Sequence, residues 1–280
     1  MIDRQKLDEI IRVALGEDLG EVGDVTTRAL FPTSRDVRAA IFCRDSGVIA
    51  GIEVAARVFA LLEKVSFQSR VEEGERVEGG QVIAELEGTI EVILLGERTA
   101  LNFLQHLSGI ATLTAQFVEK VEGYPVKILD TRKTTPGLRL LEKEAVRAGG
   151  GFNHRFGLYD GVLIKDNHLK ALGEIAAAVK SIRSHLPGKK IEVETENLRQ
   201  VKEALEAGAD IIMLDNMDVA TMKEAVRIVG GRVIVEASGG INLENIREIA
   251  ATGVDWISVG VLTQAAPPLD ISLEIVETEA

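Results

Sequence analysis

A single cysteine, Cys43, in 280 residues leaves no partner for an intrachain disulfide. No signal-peptide pattern is present either, since Met1–Ile10 carries Asp3, Arg4, Lys6, Asp8 and Glu9 and has no apolar core segment. Both absences predict a cytoplasmic address. Basic residues are scarce, 32 Lys and Arg against 44 Asp and Glu, for a net charge of −12. That is the opposite of a nucleic-acid-binding balance. Thr99–Phe117 lacks Lys, Arg, Asp and Glu, yet it holds Asn102, Gln105, His106 and Ser108. These groups are expensive in lipid, so the segment reads as a buried helix and excludes a membrane span. Motifs of several chemistries are missing as well. There is no Gly-x-Ser-x-Gly elbow, no zinc-spaced His/Cys cluster, no Gly-x-Gly-x-x-Gly and no phosphate loop of the Gly-x-x-x-x-Gly-Lys type.

What is present is a rhythm. Short β-branched runs at Val126–Asp130, Gly161–Lys165, Ile191–Glu194, Ile211–Leu214, Val233–Glu236 and Trp256–Val259 alternate with amphipathic stretches. The latter are Glu174–Ser184, Leu198–Ala207, Val219–Val229 and Leu243–Ala251, with apolar residues three and four apart. Alternating β-α units predict a parallel sheet in an α/β fold; six strands are clear where a full β/α barrel has eight, so two are either missing or unrecognised. The first hundred residues lack that rhythm. Helices are expected over Asp3–Leu15 and Gly51–Leu62, strands over Ala39–Cys43 and Gly47–Ala50. Val71–Leu86, with glycine at every sixth position, spells tight turns between short strands. An α+β amino-terminal domain is expected over 1–107, with helix Arg98–Leu107 bridging to a catalytic barrel over 108–269. The tail 270–280 is expected to pack back on the first domain.

Charge meets the carboxyl end of every predicted barrel strand. Val126–Leu129 runs into Asp130, Thr131, Arg132 and Lys133, and Gly161–Ile164 into Lys165 and Asp166. Later strands end at Glu194, at Asp215 and Asn216, at Glu236-Ala237-Ser238-Gly239-Gly240 and at Gly260. In a barrel these ends converge on one mouth, which holds the active site. Arg132, Lys133, Lys165, His154 and Arg155 imply a polyanionic ligand, because arginine forks bind carboxylate or phosphate in paired bonds. Glu194 and Asp215 suit sugar hydroxyls, a hard cation such as Mg²⁺, or anchorage of the lysines. Glycines 239 and 240, before a helix expected near Asn242, suit a phosphate.

An ordered series of motifs runs nearly end to end. It comprises Glu17-Asp18, Gly23-Asp24-Val25-Thr26-Thr27, Glu97-Arg98-Thr99-Ala100-Leu101-Asn102, Ser108-Gly109-Ile110-Ala111-Thr112 and Asp130-Thr131-Arg132-Lys133-Thr134-Thr135-Pro136-Gly137. It continues with Gly149-Gly150-Gly151, Asn153-His154-Arg155, Lys165-Asp166-Asn167-His168, Glu194, Leu214-Asp215-Asn216 and Glu236-Ala237-Ser238-Gly239-Gly240. In this series the chain resembles the quinolinate phosphoribosyltransferase family. The resemblance implies an incomplete β/α barrel of about six strands with an α+β open-sandwich amino-terminal domain, and transfer of phosphoribose from phosphoribosyl pyrophosphate to quinolinate with loss of CO₂, in NAD biosynthesis, with Mg²⁺. It implies that Arg132, Arg155, Lys165, His154 and Arg98 of a partner chain surround the quinolinate carboxylates, and hence a homodimer. Lys133, Glu194 and Asp215 would face the ribose pyrophosphate and metal, with Lys133 or water as proton source. Ser238, Gly239, Gly240 and Gly260 would sit near the 5′-phosphate. A related transferase acting on nicotinate is the nearest rival, and the number of cations at the mouth favours a dicarboxylate over it.

Overall fold

The computed structural model describes residues 3–278. Two compact units divide the chain, one of Met1–Ala115, Thr135–Gly150 and Ala265–Ala280, the other of Gln116–Thr134 and Gly151–Gln264. The first unit therefore also takes in a segment that falls within the sequence expected of the barrel.

In chain order the first elements are α1 (Arg4–Leu19), α2 (Val25–Leu30), β1 (Asp36–Cys43), β2 (Gly47–Val48) and α3 (Ile52–Leu62). Next come β3 (Val65–Ser69), β4 (Arg76–Val77), β5 (Val82–Thr89) and α4 (Ile90–Lys120). The turns expected of Gly74 and Gly80 are there, at φ 83° and 88°, where a side chain would be strained. Helix α3 buries Val54, Ala55, Val58 and Phe59, and the Phe59 ring stacks on Phe67 of β3 at 5.9 Å. Its first turn is capped from a distance. Both Glu73 carboxylate oxygens accept the Gly51 N–H, at 3.1 and 2.9 Å, and Oε1 also accepts that of Glu53 at 3.1 Å. Gly51 offers no side chain of its own for this role. Glu73→Ala should therefore destabilise the protein by about 1 kcal/mol, the cost of a lost cap, seen as a lower denaturation midpoint. An unchanged midpoint would mean that water replaces the carboxylate without loss.

The helix expected over Arg98–Leu107 is much longer, spanning Ile90–Lys120. Its first turns, Ile90-Glu91-Val92-Ile93-Leu94-Leu95, are rich in β-branched residues and read locally as strand. Packing overrides that preference: Ile90 and Ile93 are buried, and Gly96 lies so close to Phe59 that a Cβ would meet its ring at 2.7 Å.

The remaining elements are β6 (Lys127–Leu129), α5 (Arg139–Ala148), β7 (Val162–Ile164), α6 (Asp166–Leu172), α7 (Ile175–His185) and β8 (Ile191–Thr195). They continue as α8 (Leu198–Glu206), β9 (Ile211–Asp215), α9 (Val219–Val229), β10 (Ile234–Ser238), α10 (Ile246–Ala250), β11 (Trp256–Ser258), α11 (Val261–Gln264) and β12 (Ile271–Thr278). β12 pairs antiparallel with β1, in a four-stranded sheet of order β12-β1-β5-β3. The six predicted barrel strands are all present and form one parallel sheet of order β6-β11-β10-β9-β8-β7. This is the expected incomplete α/β barrel. Helix α5 was not foreseen, because Glu142 and Lys143 are buried on it and break the apolar pattern. No described helix is long and apolar enough to cross a membrane.

Candidate active site

Strand parity decides which side chains meet. In β8 to β11 the register aligns Glu194 with Met213, Met213 with Glu236, Asp215 with Ser238, and Ser238 with Ser258. Successive side chains alternate between faces, so Glu192, Glu194, Met213, Asp215, Glu236, Ser238 and Ser258 share one face. The opposite face carries Ile191, Val193, Ile212, Leu214, Val235, Ala237 and Ile257, nearly all fully buried. One face is a core and the other is a polar interior opening at the strands' carboxyl ends.

A cavity of about 630 Å³ occupies that mouth. Eleven of the twelve predicted site residues line it: Arg132, Lys133, His154, Arg155, Lys165, Glu194, Asp215, Ser238, Gly239, Gly240 and Gly260. Arg98 does not; it is exposed on α4, in the first unit. Two features mark the mouth as built for anions. Arg132 Nε is buried and has no hydrogen-bond partner among the described residues. Burial, followed by the charge of Arg132, lowers the pKa of Arg155. Two guanidinium groups placed to repel each other gain when an anion binds between them. Lys165 Nζ lies 3.1 Å from Glu194 Oε2, and Glu194 is only 10 % exposed. Lys133 sits beside Gly260, where a Cβ would stand 3.0 Å from its Cδ, and the Lys133 carbonyl accepts the Thr263 hydroxyl at 2.8 Å.

The glycine loop is built differently from expectation. The helix begins at Ile246, not near Asn242. Asn242 Oδ1 takes the N–H groups of Glu244 and Asn245, at 2.9 and 3.1 Å, in the turn that precedes the helix. The loop itself carries two consecutive glycines at φ 91° and 63°, a backbone that side chains disfavour. A Cβ on Gly239 would stand 2.3 Å from Asn216 Oδ1. Asn216 is itself held at φ 52°, with its N–H on the Ser238 carbonyl at 2.9 Å. Gly239→Ala should weaken binding of a phosphate-bearing ligand by about tenfold or more, since such strain costs about 1–3 kcal/mol. Titration calorimetry reads this directly; unchanged affinity would remove the loop from the site.

Glu192 was missed, and Glu236 and Asp130 were named at strand ends without a role. Glu192, Glu236 and Asp130 are buried, at 3 %, 0 % and 0 % exposure. His154 Nε2 lies 3.2 Å from Glu192 Oε2 and 3.5 Å from Glu236 Oε2. Burial opposes a charge on this ring, while the carboxylates of Glu192 and Glu236 beside Nε2 favour one. One contact favours the neutral ring: the Arg155 N–H aimed at Nδ1 from 2.8 Å. Glu192 is pushed upward by burial. Parity would have found both acids, since they lie two residues before Glu194 and Ser238 on the same face.

Comparison with known proteins places this geometry. The family model described as quinolinate phosphoribosyl transferase, N-terminal domain, matches residues 24–108, and its C-terminal counterpart matches 110–274. A protein of Synechocystis sp. named probable nicotinate-nucleotide pyrophosphorylase (carboxylating) is 46 % identical over 275 residues, 96 % of this chain and 92 % of its own length. A Nicotiana glauca protein, quinolinate phosphoribosyltransferase (decarboxylating) 2, mitochondrial, is 42 % identical, covering 96 % of this chain and 82 % of its own. The crystal structure of nicotinate-nucleotide pyrophosphorylase from Ehrlichia chaffeensis superimposes with a TM-score of 0.94 at 43 % identity, over 98 % of this chain and 99 % of that one.

Proposed function

From the chain's membership of the quinolinate phosphoribosyltransferase family, we propose that its mouth performs that chemistry with the residues named above. The reaction is quinolinate + phosphoribosyl pyrophosphate → nicotinate mononucleotide + pyrophosphate + CO₂. The observation that carries the assignment is the unpaired, buried Arg132 Nε beside a second guanidinium. Such an arrangement fits a ligand bearing two carboxylates.

In the proposed mechanism Arg132, Arg155, Lys165 and His154 hold the carboxylates and orient the pyridine nitrogen toward the ribose. The loop at Ser238, Gly239 and Gly240, with Gly260, holds the 5′-phosphate. Lys133 faces the pyrophosphate. Nitrogen attack on the ribose carbon releases pyrophosphate and leaves the ring nitrogen cationic. The carboxylate beside that nitrogen then departs as CO₂, because the electron pair it leaves is stabilised by the adjacent positive charge. A proton replaces it. The chain supplies positioning and charge stabilisation.

Glu194 and Asp215 fit Mg²⁺. They are carboxylates on adjacent strands and the same face, a donor set suited to an ion that takes one or two carboxylates and completes its shell with phosphate oxygens. Bound there, Mg²⁺ would neutralise charge on the leaving pyrophosphate. A cytoplasmic address belongs to the same proposal, supported by Cys43 as a buried free thiol.

Arg98 enters the reading from a second copy of the chain, which makes the homodimer the active unit. Its support is the exposure of Arg98 and its place in the family series, Glu97-Arg98-Thr99-Ala100-Leu101-Asn102. Mixing inactive Arg98→Ala and Arg132→Ala chains should restore activity, because a heterodimer carries one intact site. No recovery after demonstrated subunit exchange would contradict sharing. The substrate is tested by assaying nicotinate mononucleotide formation from quinolinate and, in parallel, from nicotinate. Product from quinolinate alone is expected, and product from nicotinate alone would overturn the assignment.

A further inference from the structure

Beneath the mouth lies a set of side chains that the reaction as described leaves idle. Glu192 on β8 and Glu236 on β10 both face the polar interior. Both approach one atom, His154 Nε2: Glu192 is hydrogen-bonded to it, and Glu236 Oε2 stands at 3.5 Å as a charge contact, its two oxygens buried without a hydrogen-bond partner among the described residues. The other ring nitrogen, Nδ1, accepts the Arg155 N–H at 2.8 Å. The His154 N–H donates to Asp130 Oδ1 at 2.9 Å, and Arg155 Nη1 donates to the Gly161 carbonyl at 3.0 Å. The imidazole is thus a strut between two buried acids and the backbone of an arginine that lines the mouth.

Donor atoms of His154, Glu192 and Glu236 lie within 4.8 Å of one another, a spacing also compatible with a metal ion. The histidine opposes that use. A metal on Nε2 needs the lone pair there, which puts the ring hydrogen on Nδ1. Nδ1 is already an acceptor. The hydrogen therefore sits on Nε2, pointing between the two carboxylates. Negative charge under an anion-binding mouth weakens the binding of its ligand. Two buried acids at this place need a compensating role, and holding the ring is the one their geometry supplies.

We propose that Glu192 and Glu236 are positioning residues for carboxylate recognition: they lock the His154 ring through Nε2 and, by way of Nδ1, the backbone of Arg155. The inference rests on the reading of the mouth as the quinolinate site. It separates these acids from Glu194 and Asp215, which face the pyrophosphate side.

The test is a comparison of Glu236→Ala and Glu192→Ala with wild type by calorimetry and steady-state kinetics. Quinolinate Kd and KM should rise about tenfold or more, while the KM for phosphoribosyl pyrophosphate changes less than about twofold. Glu236→Gln keeps an acceptor oxygen and should recover most of the loss. In a His154→Ala background, Glu236→Ala should add less than about twofold, because its route runs through the ring. Wild-type affinity in the alanine variants would overturn the proposal. So would equal losses for both substrates, or an undiminished effect without His154. If the alanine variants do not fold, Glu236→Gln against the apolar, similarly sized Glu236→Met carries the same comparison. A wild-type protein that binds no quinolinate would overturn the reading of the mouth itself, an outcome distinct from failure of the strut.

Discussion

Replacing Arg132 by alanine lowers kcat/KM for quinolinate by at least about a hundredfold, because two charge-assisted bonds of about 1.5–3 kcal/mol each are lost. The site's own geometry sets this expectation. Arg132 follows β6 at the mouth, its Nε is buried, and no described residue accepts from it. Arg155 already feels its charge as repulsion. A bound dicarboxylate relieves both costs at once, so the binding energy of quinolinate should be concentrated here. Arg132→Lys keeps the charge and loses the planar fork, and should still cost about tenfold. Steady-state kinetics of both variants decide the matter. A lysine variant with normal quinolinate affinity would show that paired bonds are not made.

Replacing Glu194 by glutamine or Asp215 by asparagine should lower kcat by roughly two to three orders of magnitude, the scale of losing one electrostatic contributor to a charged transition state. The amides keep size and hydrogen bonding, so the change isolates charge. The Glu194 change also leaves Lys165, now 3.1 Å from its carboxylate, without a counter-charge. The two variants should need more Mg²⁺ for half-maximal rate than wild type, while quinolinate KM moves less than kcat. Rates within about threefold of wild type in both would remove these carboxylates from the metal and pyrophosphate.

Much of the site was legible because a parallel barrel converts sequence position into spatial position. Each β-branched run marked a strand, the polar residues after it marked the mouth, and the nine site residues named at strand ends line one cavity, together with His154 and Arg155 of the loop before β7. Two kinds of residue had no role assigned. Glu192 and Glu236 lie inside strands, where charge looks like an interruption of the core, and only the two-residue period of the interior face gives them meaning. Asn216 was named at its strand end, but its role is conformational, a left-handed backbone that packs against Gly239.

The fold was less legible where tertiary packing overrides local preference. Helix α4 begins inside a β-branched run that reads as strand, and α5 buries Glu142 and Lys143, which break its apolar face. Glu142 gains its place from partners distant in sequence. Its Oε1 lies 2.8 Å from His106 Nε2, and its Oε2 accepts the Thr135 N–H at 3.0 Å. No window along the sequence shows such pairings.

The most direct measurement is CO₂ release from quinolinate by the purified protein with Mg²⁺, in the presence and absence of phosphoribosyl pyrophosphate. The account predicts release only with the co-substrate, in step with nicotinate mononucleotide, because the carboxylate becomes labile after the ring nitrogen is alkylated. Release without phosphoribosyl pyrophosphate, or nucleotide formation without CO₂, would contradict it.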